Sequence, residues 1–194
     1  MPRPTPAAGA GGRVRLTTII LVRWIAVAGQ ASAIVLVGFA LGYDLPVVAC
    51  LATVAALAVS NLYFAAQYRS ATRLSDRAAA MMLGFDILQL AALLYLTGGS
   101  DNPFLVLMLA PVAIGASVLS LRSTAALTAI ALLCVAALAI DHFPLPWATP
   151  GAMAQPPLYT FAVSLALAVG MVFVAIYAWR VAEEGRRMSD ALAA

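Results

Sequence analysis

Charge-free runs divide the chain at regular intervals. Residues 24–43 lie between Arg23 and Asp44, and residues 45–68 between Asp44 and Arg69. From Arg77 to Asp101 a single charge intervenes, Asp86, and the runs 102–121 and 123–140 flank Arg122. The next stretch, Asp141 to Pro157, reads DHFPLPWATPGAMAQPP and is too rich in proline to continue a helix. Only Leu158 to Trp179 remains as a further apolar run. A bilayer core takes about 20 apolar helical residues to cross. The pattern therefore predicts an all-α polytopic membrane protein with six transmembrane helices, near 19–41, 46–67, 79–97, 103–121, 123–141 and 158–180. On that frame 1–18 is an N-terminal tail, 19–180 a six-helix domain, and 181–194 the start of a helix leaving the membrane.

Composition agrees with the pattern. Of 194 residues, 64% are hydrophobic and 10% charged, with a mean hydropathy of +0.99. A soluble domain carries about a quarter charged residues, so that class is excluded. All eleven basic residues are arginine. With six spans, each falls on one side: Arg3, Arg13, Arg15 and Arg23 at the first span, Arg69, Arg73 and Arg77 between spans two and three, Arg122 between four and five, and Arg180, Arg186 and Arg187 after six. The opposite loops carry Asp44, Asp101, Asp141 and His142. The positive-inside rule makes the arginine side, with both termini, cytoplasmic. The net charge of +3 comes from arginines scattered between apolar runs, not a basic patch, and nucleic acid is not expected as a partner. Span one is too long for a signal-peptide core, lacks a small-residue cleavage site, and reads as retained.

Candidate chemistry is sparse. Cys50 and Cys134 sit in apolar runs and read as two separate thiols, with neither a disulfide nor a metal site expected. His142 is the one histidine, too few for a metal or haem centre, and lies in a loop. Between spans three and four runs Thr97-Gly98-Gly99-Ser100-Asp101-Asn102-Pro103-Phe104. As structure it is a tight helical hairpin: glycines for a left-handed C-cap, Asn102 as N-cap, Pro103 at the first helical position. As chemistry it offers glycine N–H groups without side-chain cover, an Asn102 amide to donate to a carbonyl, and a Phe104 ring to stack. A flat lipid-soluble dicarbonyl such as a quinone suits those groups, as do other ligands.

Asp86 is the one acid well inside a span, and an intramembrane carboxylate is a functional candidate by default. Asp86, Gln89, Leu93 and Thr97 share one helical stripe. The stripe ends at the glycine loop, about 18 Å from Asp86 at 1.5 Å per residue, too far for one ligand head to touch both. Asp86 and Gln89 are expected to form a polar packing contact that relays the signalling state, or simply to join helices. Gln30 and Asn61 read as polar glue between helices. Trp24, Tyr68, Trp147, Tyr159 and Trp179 read as interfacial anchors. The Pro-rich outer loop either covers the loop site or only connects two helices.

The heptapeptide Gly98 to Phe104, GGSDNPF, resembles the GGxxNPF motif of the RegB/PrrB/ActS family of redox-sensing histidine kinases. The likeness extends to Arg23–Gln30 (RWIAVAGQ), Arg73–Arg77 (RLSDR), Phe85–Leu90 (FDILQL) and Leu94–Thr97 (LYLT), and covers essentially the whole chain. The resemblance implies a bacterial inner-membrane, multi-pass sensory domain that reads the ubiquinone/ubiquinol pool. It implies Gly98, Gly99, Asn102, Pro103 and Phe104 as quinone-binding residues. It further implies a homodimer in membrane lipid, controlling a kinase that phosphorylates a response regulator of the RegA/PrrA kind. Ending at Ala194, the chain has no histidine box and no ATP lid, so no catalytic residue is expected within it.

The segment after span six carries Ala178, Val181, Gly185, Met188 and Leu192 at alternating three- and four-residue spacing, a short seam that suits a parallel dimer. Among rival functions, a small transporter needs ionisable groups along a path, and Asp86 stands without a partner cation in any span. No internal repeat pairs the two halves of the chain. A membrane scaffold without a specific ligand is the other alternative.

Overall fold

A computed structural model describes residues 16–67, 74–145 and 156–193, and all regular structure among them is helical. The helices are α1 (Leu16–Val35), closing in a wider π turn at Leu36–Ala40, then α2 (Val47–Gln67) and α3 (Asp76–Leu96). A short 3-10 turn (Gly99–Asp101) and a 3-10 segment (Pro103–Met108) lead into α4 (Leu109–Val118), followed by α5 (Leu121–Ile140) and α6 (Pro157–Ala193). Among the described residues, five helices are long and apolar enough to cross a bilayer: Thr18–Ala40, Val47–Gln67, Asp76–Leu96, Leu121–Ile140 and Pro157–Ser189. Lipid-facing character is plain on their outer faces, where Ile25, Val48, Leu133, Ile140 and Phe173 are exposed.

The fourth element departs from expectation. A single helix over 103–121 is replaced by Pro103–Val118, a shorter apolar helix whose first six residues are 3-10. Two features cause this. Pro111 has no N–H to return to the Leu107 carbonyl, so the chain winds tightly until Pro111 can sit in the first turn of α4. At the other end Leu119 and Ser120 are extended, and the Ser120 hydroxyl caps α5 by accepting from the Ser123 N–H at 3.3 Å.

Direction along the bundle follows from the hydrogen bonds. The α3 N-terminus meets the α5 N-terminus, where Asp76 accepts from the Ser120 N–H at 2.7 Å and from the Ser120 and Ser123 hydroxyls at 2.9 and 2.6 Å. Their C-terminal ends also meet, the Phe143 N–H donating to the Tyr95 carbonyl at 2.9 Å. Helices α3 and α5 are therefore parallel, and Pro103–Val118 must carry the chain back along α3. At about 2.0 Å per 3-10 residue and 1.5 Å per α residue it reaches about 27 Å. Helix α6 starts beside the Gly99–Asp101 turn, where the Thr160 hydroxyl donates to Asp101 at 3.0 Å, and runs antiparallel to α3. Helices α1 and α2 form an antiparallel hairpin, the Asn61 amide donating to the Ile20 carbonyl at 3.2 Å.

Helix α3 is the central element: 44% of its span is buried, against 17% for α1. The main core joins Met82, Leu83 and Ile87 to Met108, Val112, Ala131 and Met171 from α3, the 3-10 segment, α4, α5 and α6. A second cluster, Ile34, Cys50, Val54 and Leu93, seats the α1–α2 hairpin on the other face of α3. Cys50 and Cys134 are both free thiols.

Candidate functional site

The loop after α3 closes as its residues dictate. Gly98 has φ +114° and Gly99 φ +51°, conformations that only glycine adopts cheaply. Asn102 is the N-cap of the following segment and Pro103 its first residue, as expected, with the Asn102 carbonyl oxygen accepting from the Phe104 N–H at 2.9 Å. The Asn102 amide nitrogen donates to the Thr97 carbonyl at 2.9 Å and to the Thr97 hydroxyl at 2.8 Å. Asn102 is buried, and its amide ties the two ends of the loop together. Donation to an outside carbonyl would break one of these bonds. Phe104 is half exposed, at 52%, and free to stack.

The glycines are not open, contrary to the expectation of uncovered N–H groups. The strap 141–145 lies over them. A Cβ on Gly99 would overlap the His142 side chain, and one on Gly98 would overlap Leu145. His142 Nε2 lies 3.4 Å from the Ser100 hydroxyl. The start of the outer loop therefore covers the glycine turn, while Trp147 and the rest of 146–155 lie outside the described residues, as does Tyr68. The strap is anchored by Tyr95, whose carbonyl holds Phe143, whose ring packs edge-on against Phe143 at 5.5 Å, and whose hydroxyl donates to Asp141 at 3.2 Å. Beside that anchor a groove of about 320 Å³ opens between α3 and α5, lined by Ala91, Ala92, Tyr95, Cys134, Ala137, Leu138 and Asp141.

Deeper in the bundle, Asp86 has a partner that the sequence reading did not find. Arg23 lies inside α1, 3% exposed, and not at the membrane border. Its Nε and Nη2 reach one Asp86 carboxylate oxygen at 2.9 and 2.8 Å. Nη1 donates to the Asn61 side chain at 3.4 Å and Nη2 to the Ser60 hydroxyl, and the Phe64 ring lies 5.8 Å from the guanidinium carbon. The Gln89 amide donates to Gln30 of α1 at 3.0 Å, not to Asp86. The stripe Asp86, Gln89, Leu93 and Thr97 therefore meets α1 at its first two positions, the hairpin cluster at the third, and Asn102 at the last. Gln30 and Asn61 join helices, as their isolation in apolar runs suggested. The transporter reading gains its missing cation, but one held in a buried pair and hydrogen-bonded to Asn61 and Ser60 as well. Among the described residues no group of His, Cys, Asp and Glu forms a metal site.

No protein-family model matches the chain, and no solved structure matches it. Two curated proteins do, both named sensor histidine kinase RegB. That of Cereibacter sphaeroides is 43% identical over 180 residues, or 93% of this chain and 39% of the relative. That of a named strain of the same species is 44% identical over 184 residues, 95% of this chain and 40% of the relative. The chain thus spans about two-fifths of the length of the curated relatives it matches. A multi-pass helical membrane protein, it is along nearly its whole length a homologue of part of the sensor histidine kinase RegB.

Proposed function

We propose that the chain is the membrane sensory part of a RegB-type histidine kinase of the bacterial inner membrane, and that its ligand is ubiquinone. It crosses the bilayer six times with both termini cytoplasmic. The ligand binds at the outer end of the bundle, at the α3–α4 loop formed by Gly98, Gly99, Asn102, Pro103 and Phe104. The observation that carries this reading is the loop itself: a GGxxNPF turn closed by Asn102, roofed by a strap, within a chain more than 40% identical to RegB.

Signalling needs a difference in affinity between two conformations. Oxidised quinone offers only carbonyl acceptors at its ring oxygens, while quinol adds hydroxyl donors. The α3 stripe from Thr97 to Asp86 then carries a change at the loop to Gln30 and Arg23 of the hairpin, and α6 carries it outward. The exit part of α6 presents Val181, Met188 and Leu192 exposed, a seam for a second copy in a parallel dimer. The kinase and its response regulator complete the signalling path.

Binding of decylubiquinone to the chain in nanodiscs tests the reading. Saturable binding is expected in wild type, weakened about tenfold or more by Phe104→Ala, in a variant whose helicity and thermal unfolding match wild type. No saturable binding in wild type would overturn the quinone reading.

A further inference from the structure

The structure assigns the ligand's ring a seat that the loop motif does not name: the groove between α3 and α5 below the strap, with Tyr95 and Asp141 as its polar end. The assignment rests on the quinone reading above and refines it: the ring lies in the groove, and the GGxxNPF loop closes the site beside it through the strap. Three observations carry it. The Asn102 amide is committed to Thr97, and the glycine turn lies buried under His142 and Leu145, so a carbonyl reaches the loop's donors only by displacing the strap or breaking an Asn102 bond. The groove, by contrast, is open. Its volume of about 320 Å³ lies at the small end for ligand sites and suits one substituted ring whose chain continues into lipid. Its walls are apolar and flat, Ala91 and Ala92 facing Ala137 and Leu138.

The polar end supplies the discrimination. The Tyr95 hydroxyl donates to the Asp141 carboxylate at 3.2 Å, a long bond at an exposed position. An oxidised ring carbonyl is an acceptor and competes with Asp141 for the Tyr95 hydroxyl. A quinol hydroxyl is a donor and takes the Asp141 carboxylate instead. The two forms therefore leave Tyr95 and Asp141 in different pairings. Both residues hold the strap, Tyr95 through the Phe143 N–H and ring, Asp141 through the chain itself. The strap rests on Gly98 and Gly99. The ring thus acts on the glycine loop from the groove, through residues 141–145.

The test uses an azido-ubiquinone photoprobe and decylubiquinone on the whole chain in nanodiscs. Crosslinks are expected in peptides holding Ala91–Tyr95 and Cys134–Asp141. Ala137 faces outward, so Ala137→Phe fills the groove without invading the core, and Ala136→Phe beside it, also exposed and outside the groove, is the control. Ala137→Phe is expected to raise the decylubiquinone Kd at least tenfold, with Ala136→Phe unchanged. Tyr95→Phe is expected to weaken the oxidised form more than the quinol. Crosslinks confined to Pro103–Met108, with binding intact in Ala137→Phe, would overturn the groove while leaving the quinone reading standing. Absence of binding in wild type would remove both.

Discussion

At the scale of single residues, Gly99 does two things that one added methyl separates. Its φ of +51° costs a non-glycine residue about 1–3 kcal/mol, and a Cβ there would collide with the His142 ring. Gly99→Ala is expected to lower stability in thermal unfolding by more than the backbone cost alone. Gly99→Ala with His142→Gly, which takes away both the ring and the Cβ that the added methyl would overlap, is expected to recover the part due to the collision and keep the part due to φ. Equal unfolding temperatures for the single and double variants would show that the strap does not press on the glycine. The same pair of residues shows how far a sequence can be read. The turn was legible, because glycine, Asn102 and Pro103 each answer a local need at a fixed offset. The roof over it stayed one of two alternatives for the outer loop, because His142 approaches from 43 residues away and nothing in its neighbours announces that contact.

At the scale of elements, the α1–α2 hairpin is held to α3 by one buried charge pair and one amide pair, besides the apolar seat around Ile34 and Leu93. Removing one member of a buried pair strands the other in a low-dielectric interior, at a cost of about 3 kcal/mol. Removing both leaves nothing stranded. Arg23→Met and Asp86→Leu are each expected to destabilise the protein by about that amount in detergent unfolding, and the double variant to lie close to wild type. A double variant that loses the sum of the two singles would show that the pair is not coupled. The lone acid in span three was plain in the sequence, but its partner was not. Arg23 follows an arginine-rich tail and reads as one more border residue until the start of α1 at Leu16 places it a turn and more inside the helix. The short α4 was missed for a different reason: apolar composition counts residues and ignores what Pro111 does to the winding before it.

At the scale of the whole molecule, the number of crossings turns on Pro103–Val118, shorter than a standard span. Were it re-entrant, five crossings would remain and the two ends of the chain would lie on opposite sides. The geometry argues otherwise. Asp76 meets Ser120 at one end of the bundle while Tyr95 meets Phe143 at the other, so the segment between them has to return along the whole of α3. A reach of about 27 Å falls only slightly below a hydrocarbon core of about 30 Å, a deficit that local thinning absorbs at modest cost. Two exposed positions separate the alternatives: Asp44, after α1, and Ser189, near the end of α6. With the α1 start cytoplasmic and six crossings, an impermeant maleimide on intact cells labels an Asp44→Cys variant, while Ser189→Cys reacts only after the membrane is opened. With five, both react from outside. Labelling of Ser189→Cys in intact cells would place α6 the wrong way up for a helix leading to a cytoplasmic kinase, and the sensor reading would fall with the topology.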